Sequence, residues 1–327
     1  MHCALIALLL AQLLPPDQRA FEQARRLADP AARMAALEQV LKQYPRTPGS
    51  ERIRRAMLEL AAEQGLPALR QRAAELAAAV PEADRPRIKF LSLVIEEKLA
   101  PENDILRAEV DTLYRQVSPN PVQVTPFERP SRGHTVMLEV FTGAGCPPCV
   151  ASSFAVDAAL ERYRRQDLVV VMYHQNIPVP DPLTNAASAA RWREAGEPGI
   201  PLMVVDGQAM TTGGPRSRTI PAWERLETRL QERLDAPRGP APKVSLKRRK
   251  GKLTINAPHG ANVVLVEELV RYTGENGIRF HPMVARARQS GPAVTFDLPL
   301  GAPPYGVAVF SSTGAFEPVY LPVPESR

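Results

Sequence analysis

The chain of 327 residues contains only three cysteines and five histidines, and beyond its N-terminal segment it has no apolar run long enough to cross a membrane. Each scarcity narrows the chemistry. Two of the cysteines, Cys146 and Cys149, stand in the segment FTGAGCPPCVASSF, separated by two prolines. Cys-x-x-Cys serves as half of a zinc site, as a haem attachment point, or as a redox pair. A structural zinc site needs a second pair of ligands, and His2, His134, His174, His259 and His281 show no paired spacing. Haem attachment needs a histidine directly after the second cysteine, where Val150 stands. A redox pair remains, with a structural disulfide as the alternative; no metal and no cofactor is expected.

Charge excludes a further class. Lys and Arg number 41 against 35 Asp and Glu, a net charge of +6. The basic residues are dispersed, and the one dense run, KRRKGK at 247–252, sits around a glycine between strand-like segments. It reads as a solvated hairpin turn, so no nucleic-acid partner is expected.

Residues 3–14, CALIALLLAQLL, have the length of a signal-peptide core and are short for a membrane span. Residues 1–16 are therefore expected to direct export to an extracytoplasmic compartment, the periplasm or the exterior. An uncleaved tether and a packed N-terminal helix are the alternatives. Removal of Cys3 with this segment leaves the Cys146/Cys149 pair alone, which suits an oxidising compartment where a stray thiol mispairs.

Three zones follow. From 17 to 118, apolar residues recur at helical spacing, as in Leu66, Leu69, Ala73, Leu76 and Val80. Proline and glycine breakers divide this zone into about six helices, a helical-hairpin domain. The segment AALEQVLKQYPRTP at 35–48 resembles the closing helix of a tetratricopeptide hairpin, which implies a peptide or protein partner; an ordinary bundle is the alternative. After the proline-rich link SPNPVQVTPFERP at 118–130, residues 124–236 alternate strand and helix, with LVVVMYH at 168–174 apolar on both faces like a central parallel strand. A second link, DAPRGPAPK at 235–243, leads to about seven short strand candidates in 241–327, expected as a separate β-sandwich. The expected fold class is thus multidomain, α then α/β then β.

At the junction of strand and helix, Cys146 is expected at the N-cap and Cys149 at the third helical position, with both sulfurs on the first turn. Free amides and the helix dipole favour a thiolate there, making Cys146 the exposed nucleophile and Cys149 the buried resolving thiol. Pro147 and Pro148 remove two potential donors, leaving chiefly the Cys149 amide for the thiolate. A reducing or intermediate couple follows from that loss.

The motif EVFTGAGCPPC, with GIP at 199–201, resembles the thioredoxin superfamily over residues 134 to about 234. The resemblance implies a thioredoxin-like fold and an exported thiol-disulfide oxidoreductase that reduces or reshuffles protein disulfides, reloaded by a separate redox donor. The alternative is a non-catalytic binding module stapled by the pair. It implies a cis bond between Ile200 and Pro201, with the Ile200 backbone pairing an extended substrate. Glu139 matches the buried acid that serves the resolving cysteine, while Gly145 replaces the aromatic residue common before the first cysteine. The loop after the central strand is longer than the family's, and Tyr173 and His174 are expected to line a substrate groove there. A copper site joining His174 to the two thiols is a further reading of the same residues. His281 and Arg279, in GENGIRFHPMVARA at 274–287, are expected as structural strand and turn residues.

Overall fold

The computed structural model describes residues 14–47, 49–127, 134–237, 239–298 and 303–324. Residues 3–14 lie almost wholly outside the described residues, and so does Cys3. The chain divides into two compact units, 1–119 and 120–327, and belongs to the mixed α/β class.

The first unit holds α1 (Pro16–Arg25), α2 (Pro30–Gln43), α3 (Ser50–Ala62), α4 (Leu66–Ala78), α5 (Arg85–Leu99) and α6 (Asp104–Val117). Local chemistry sets their starts. Proline occupies the first turn of α1, α2, α4 and α5, where its missing amide has no helical partner. Asp29 caps α2 by accepting from the Ala32 amide at 2.7 Å, and Asn103 caps α6 through Leu106 at 3.0 Å. Successive helices pack on one another, burying Leu37, Ile53, Leu58, Leu69, Phe90 and Val110. No helix among the described residues is long and apolar enough to cross a membrane.

The second unit begins with β1 (Val136–Thr142), α7 (Cys149–Arg162), β2 (Leu168–His174) and α8 (Ala186–Glu194). β3 (Leu202–Val205), β4 (Gln208–Met210) and α9 (Thr219–Leu234) complete the α/β part. β5 (Ser245–Arg249), β6 (Lys252–Asn256), β7 (Ala261–Arg271), β8 (Phe280–Ser290), β9 (Ala293–Asp297), β10 (Tyr305–Ser311) and β11 (Val319–Pro322) follow. β1 pairs in parallel with β2 and antiparallel with β3. α7 and α9 pack together, and the Ala222, Trp223, Leu226, Leu230 and Leu234 stripe of α9 is buried.

The expected boundary between 124–236 and 241–327 does not separate two domains here. One eight-stranded sheet runs β11-β10-β7-β8-β2-β1-β3-β4, and β8 joins β2 in parallel at Val284 and Met172. The physical reason lies in β2: a strand apolar on both faces also needs both edges paired, and the second edge is covered by a strand from beyond the link. Sheet-on-sheet packing survives locally. Val263, Leu265, Val307 and Val309 meet Leu253, Ile255, Val294 and Phe296 of the three-stranded sheet β5-β6-β9. The alternate residues Val264, Val266, Ala308 and Phe310 enter the core shared with β1 and β2. The KRRKGK run is the tight turn between β5 and β6, with Lys250 at φ 48° and Gly251 at φ 73°.

A clasp ties three distant segments at the start of β1. His134 bridges Glu317 through Nδ1 and Asp206 through Nε2, both at 2.8 Å. Two carboxylate partners require both ring nitrogens to donate, hence a protonated ring. Its hydrogen bond with Asp206 is the main cause that holds the His134 pKa above its ordinary value. Burial pushes the Asp206 carboxyl up, but His134, the Met137 amide and Arg233 outweigh it and hold the group below its usual range. A raised histidine contributes fully below its unfolded pKa of about 6.5 and loses that contribution as pH rises through the folded value. A depressed aspartate contributes above about 3.9 and loses it on acidification. The melting temperature of the full chain should therefore fall as the pH rises past about 6.5, and His134→Gln should flatten that fall. Equal pH profiles for the two proteins would contradict the clasp.

Candidate functional site

β1 delivers the chain into a double turn. The Cys146 amide donates to the Gly143 carbonyl at 3.1 Å, and the Cys149 amide donates to the Cys146 carbonyl at 3.1 Å. The two cysteines form a disulfide with Cα atoms 5.3 Å apart, within the range a disulfide spans without distortion. α7 starts at Cys149 with Pro148 as its capping residue, so Cys149 stands earlier in the helix than the third position expected for it.

Three helix-start amides have carbonyl partners. Cys149 donates to Cys146, Val150 to Pro147 at 3.4 Å, and Ala151 to Gly214 at 3.1 Å. The Cys149 amide, expected to serve the thiolate, is thus held by the backbone of Cys146. The expected exposure of Cys146 is corrected as well: it is 2% exposed and Cys149 is fully buried, while Pro147 and Pro148 lie at the surface.

Three loops supply the cover. The first follows β4 and carries the Gly213–Gly214 pair, packed against Pro201 just before β3, whose bond to Ile200 is cis. A Cβ on Gly213 would overlap the Pro201 ring and lie 2.8 Å from the Pro148 carbonyl oxygen, so only glycine fits between them. The Gly214 amide donates to that same oxygen at 2.7 Å. The second loop follows β2 and carries another cis bond, Ile177–Pro178. Its Asp181 accepts from the Ala144 amide at 2.7 Å, and its Val179 fills the space a side chain at Gly145 would need. The third loop joins β7 to β8 and places Asn276 against Gly143 and Cys146.

Glu139 faces α8, where Arg191 donates to both its oxygens at 2.7 and 2.8 Å. Glu139 is thus one half of a buried ion pair and has the partner that an acid in an apolar strand needs. Arg191 also lies over the Phe141 ring, which stacks on Tyr173. Tyr173 and His174 are fully buried, so neither lines an open groove. Burial and the nearby Glu139 carboxylate push the Tyr173 hydroxyl well above its ordinary value.

His174 Nδ1 meets Asp181 Oδ2 at 2.8 Å, and its ring stands edge-on to His281 with centroids 5.0 Å apart. Burial pushes the Asp181 carboxyl up, but His174 and the Ala144 and Leu183 amides outweigh it and hold the group below its usual range. Burial lowers His281 to about 3, leaving it neutral, with Nε2 2.9 Å from the Tyr272 carbonyl oxygen. Among the described residues no group of three or more His, Cys, Asp and Glu side chains is arranged to hold a metal ion. The site thus brings Cys146, Cys149, Ile200 and Pro201 together and turns Glu139 toward another partner. Asp181, Arg191, Gly213 and Asn276 were not anticipated. A glycine pair at 213–214 and an aspartate in a proline-rich loop were the available signals.

The Glu139–Arg191 pair yields a test. Breaking a buried pair by removing one partner typically costs about 3–5 kcal/mol, whereas replacing both by apolar groups costs far less. Arg191→Met should lower the unfolding free energy of the second unit, read from urea titration, by an amount in that range, and adding Glu139→Leu should restore much of it. A single variant as stable as the wild type would show that the pair carries no such coupling.

No family model and no curated protein matches the sequence. Among solved structures, the chain is similar to the crystal structure of protein AGR_C_4864 from Agrobacterium tumefaciens, at 18% identity and a TM-score of 0.36, over 60% of this chain and 97% of that one.

Proposed function

We propose that the protein is an exported thiol-disulfide oxidoreductase of thioredoxin-like type, acting on disulfides of other proteins through Cys146 and Cys149. One observation carries the reading: the disulfide sits where a central strand turns into a helix, with cis-Pro201 and Gly213 packed across the Pro148 carbonyl. A structural disulfide needs no such partner loop.

In the reductive direction the Cys146 thiolate attacks one sulfur of a substrate disulfide, and the other substrate sulfur leaves as a thiolate. The Cys149 thiolate then attacks Cys146 Sγ, releasing the reduced substrate and closing the internal disulfide. A dithiol donor then reloads the pair: its first thiolate attacks Cys146 Sγ and frees Cys149, and its second expels Cys146 as the donor closes its own disulfide. Exposed Gly199 and half-buried Ile200, whose side chain reaches Gly143, offer the backbone against which an extended substrate can lie.

A second reading, a binding module stapled by the pair, is favoured by the burial of both cysteines. Turnover separates the two. With dithiothreitol as donor, the wild type should reduce insulin disulfides faster than dithiothreitol alone and Cys146→Ser should remove the gain, while reduced Cys149→Ser freed of dithiothreitol should trap a mixed disulfide with insulin. No acceleration by the wild type would leave the staple reading standing.

A further inference from the structure

The β7–β8 loop makes its most specific contacts with the turn that holds the disulfide. Its base is fixed: the Tyr272 amide donates to the Arg279 carbonyl at 2.9 Å, Arg279 is fully buried, and its Nη1 donates to Thr273 Oγ1 at 3.3 Å. Its tip, residues 274–277, lies on the cysteine turn. Asn276 Nδ2 donates to the carbonyls of Gly143 at 3.1 Å and Cys146 at 3.3 Å, and the Asn276 amide donates to the Ala144 carbonyl at 3.1 Å. A Cβ on Gly274 would overlap the Ala144 carbonyl, so the two backbones are in direct contact. Asn276 Oδ1 accepts from the Ile278 amide at 3.0 Å, which orients the side chain with its amine toward the turn.

These contacts leave a problem for any disulfide chemistry. Thiol-disulfide exchange needs an attacking sulfur in line with the bond that breaks, and Cys146 is 2% exposed. A rigid wall would make the pair inert, but this tip is bounded by Gly274 and by Gly277 at φ 81°, positions whose backbone turns at low cost. Glu275, between them, is exposed. The tip therefore has the means to swing while its base stays anchored.

We infer that the β7–β8 loop is a latch over the Cys146–Cys149 disulfide, with Asn276 as its positioning residue, and that exchange at Cys146 requires the tip to release the carbonyls of Gly143, Ala144 and Cys146. The inference deepens the oxidoreductase reading, but its test measures access alone and is independent of insulin turnover.

The test is the rate at which dithiothreitol reduces the disulfide in the full chain. One dithiothreitol thiolate attacks Cys146 Sγ, the Cys146–Cys149 bond breaks, and Cys149 leaves as a thiolate that takes up a proton. The second dithiothreitol thiolate then closes its own ring and expels Cys146; two electrons pass to the protein. Asn276→Asp keeps the acceptor for Ile278 and removes the donor to the two carbonyls. It should speed reduction by about tenfold, the weight of roughly two neutral hydrogen bonds. Asn256→Asp, at an exposed residue that ends β6, should leave the rate unchanged. A folded Asn276→Asp protein reduced within about twofold of the wild-type rate overturns the latch, since the loss of those bonds should exceed that margin. If the variant does not fold, the wild type decides: a latch makes the rate level off at high dithiothreitol, at the opening rate, and a strictly linear dependence overturns it.

Discussion

The short segment from Gly143 to Pro148 is held by its own backbone. Its polar groups are taken up by the Asp181 carboxylate, by Asn276, and by the Gly214 amide. Three loops far apart in sequence thus converge on one turn. The burial of the disulfide, the glycines at 143, 145, 213 and 274, and the need for a latch all follow from that convergence. A buried backbone group without a partner is costly, so each loop is fixed by what it satisfies as well as by what it covers.

The same constraint governs the sulfur. A helix start ordinarily offers free amides to an anion. Here two of the positions are prolines, and the Cys149 and Ala151 amides already serve the Cys146 and Gly214 carbonyls. Polar side chains of the surrounding strands and loops are likewise engaged with one another. Arg191 is held by Glu139 and His174 by Asp181, while burial leaves His281 neutral. On the proposed function, a thiolate at Cys146 would find few free donors, and that would make the disulfide harder to reduce.

Much of this was legible in the sequence, and the limits have physical causes. The helical zone shows because its apolar spacing and proline breakers act locally, and the helix starts around Pro16, Pro30 and Arg85–Pro86 are set by a few residues. Cys146, Cys149, Ile200 and Pro201 were readable because motif and order travel together along the chain. The pairing of β2 with β8 was not, because a strand's apolar faces say that both edges need partners and nothing about which strand supplies them. Glu139 was correctly marked as an acid needing a partner, but Arg191 lies 52 residues away. Tyr173 and His174 were placed in an open groove on the length of their loop, which instead folds back through Asp181 and buries them. Asn276 sits in GENG, a sequence that reads only as a turn; its role exists because the sheet brings that turn to the cysteines.

The claim that the pair is a redox couple, and a reducing one, is tested most directly by its equilibrium potential against a glutathione or dithiothreitol buffer. With the helix-start amides engaged, the account predicts a value near about −270 mV. A value below about −300 mV, in the range of structural disulfides, would make the pair a staple; one above about −150 mV would make it an oxidant. Either result would contradict the account.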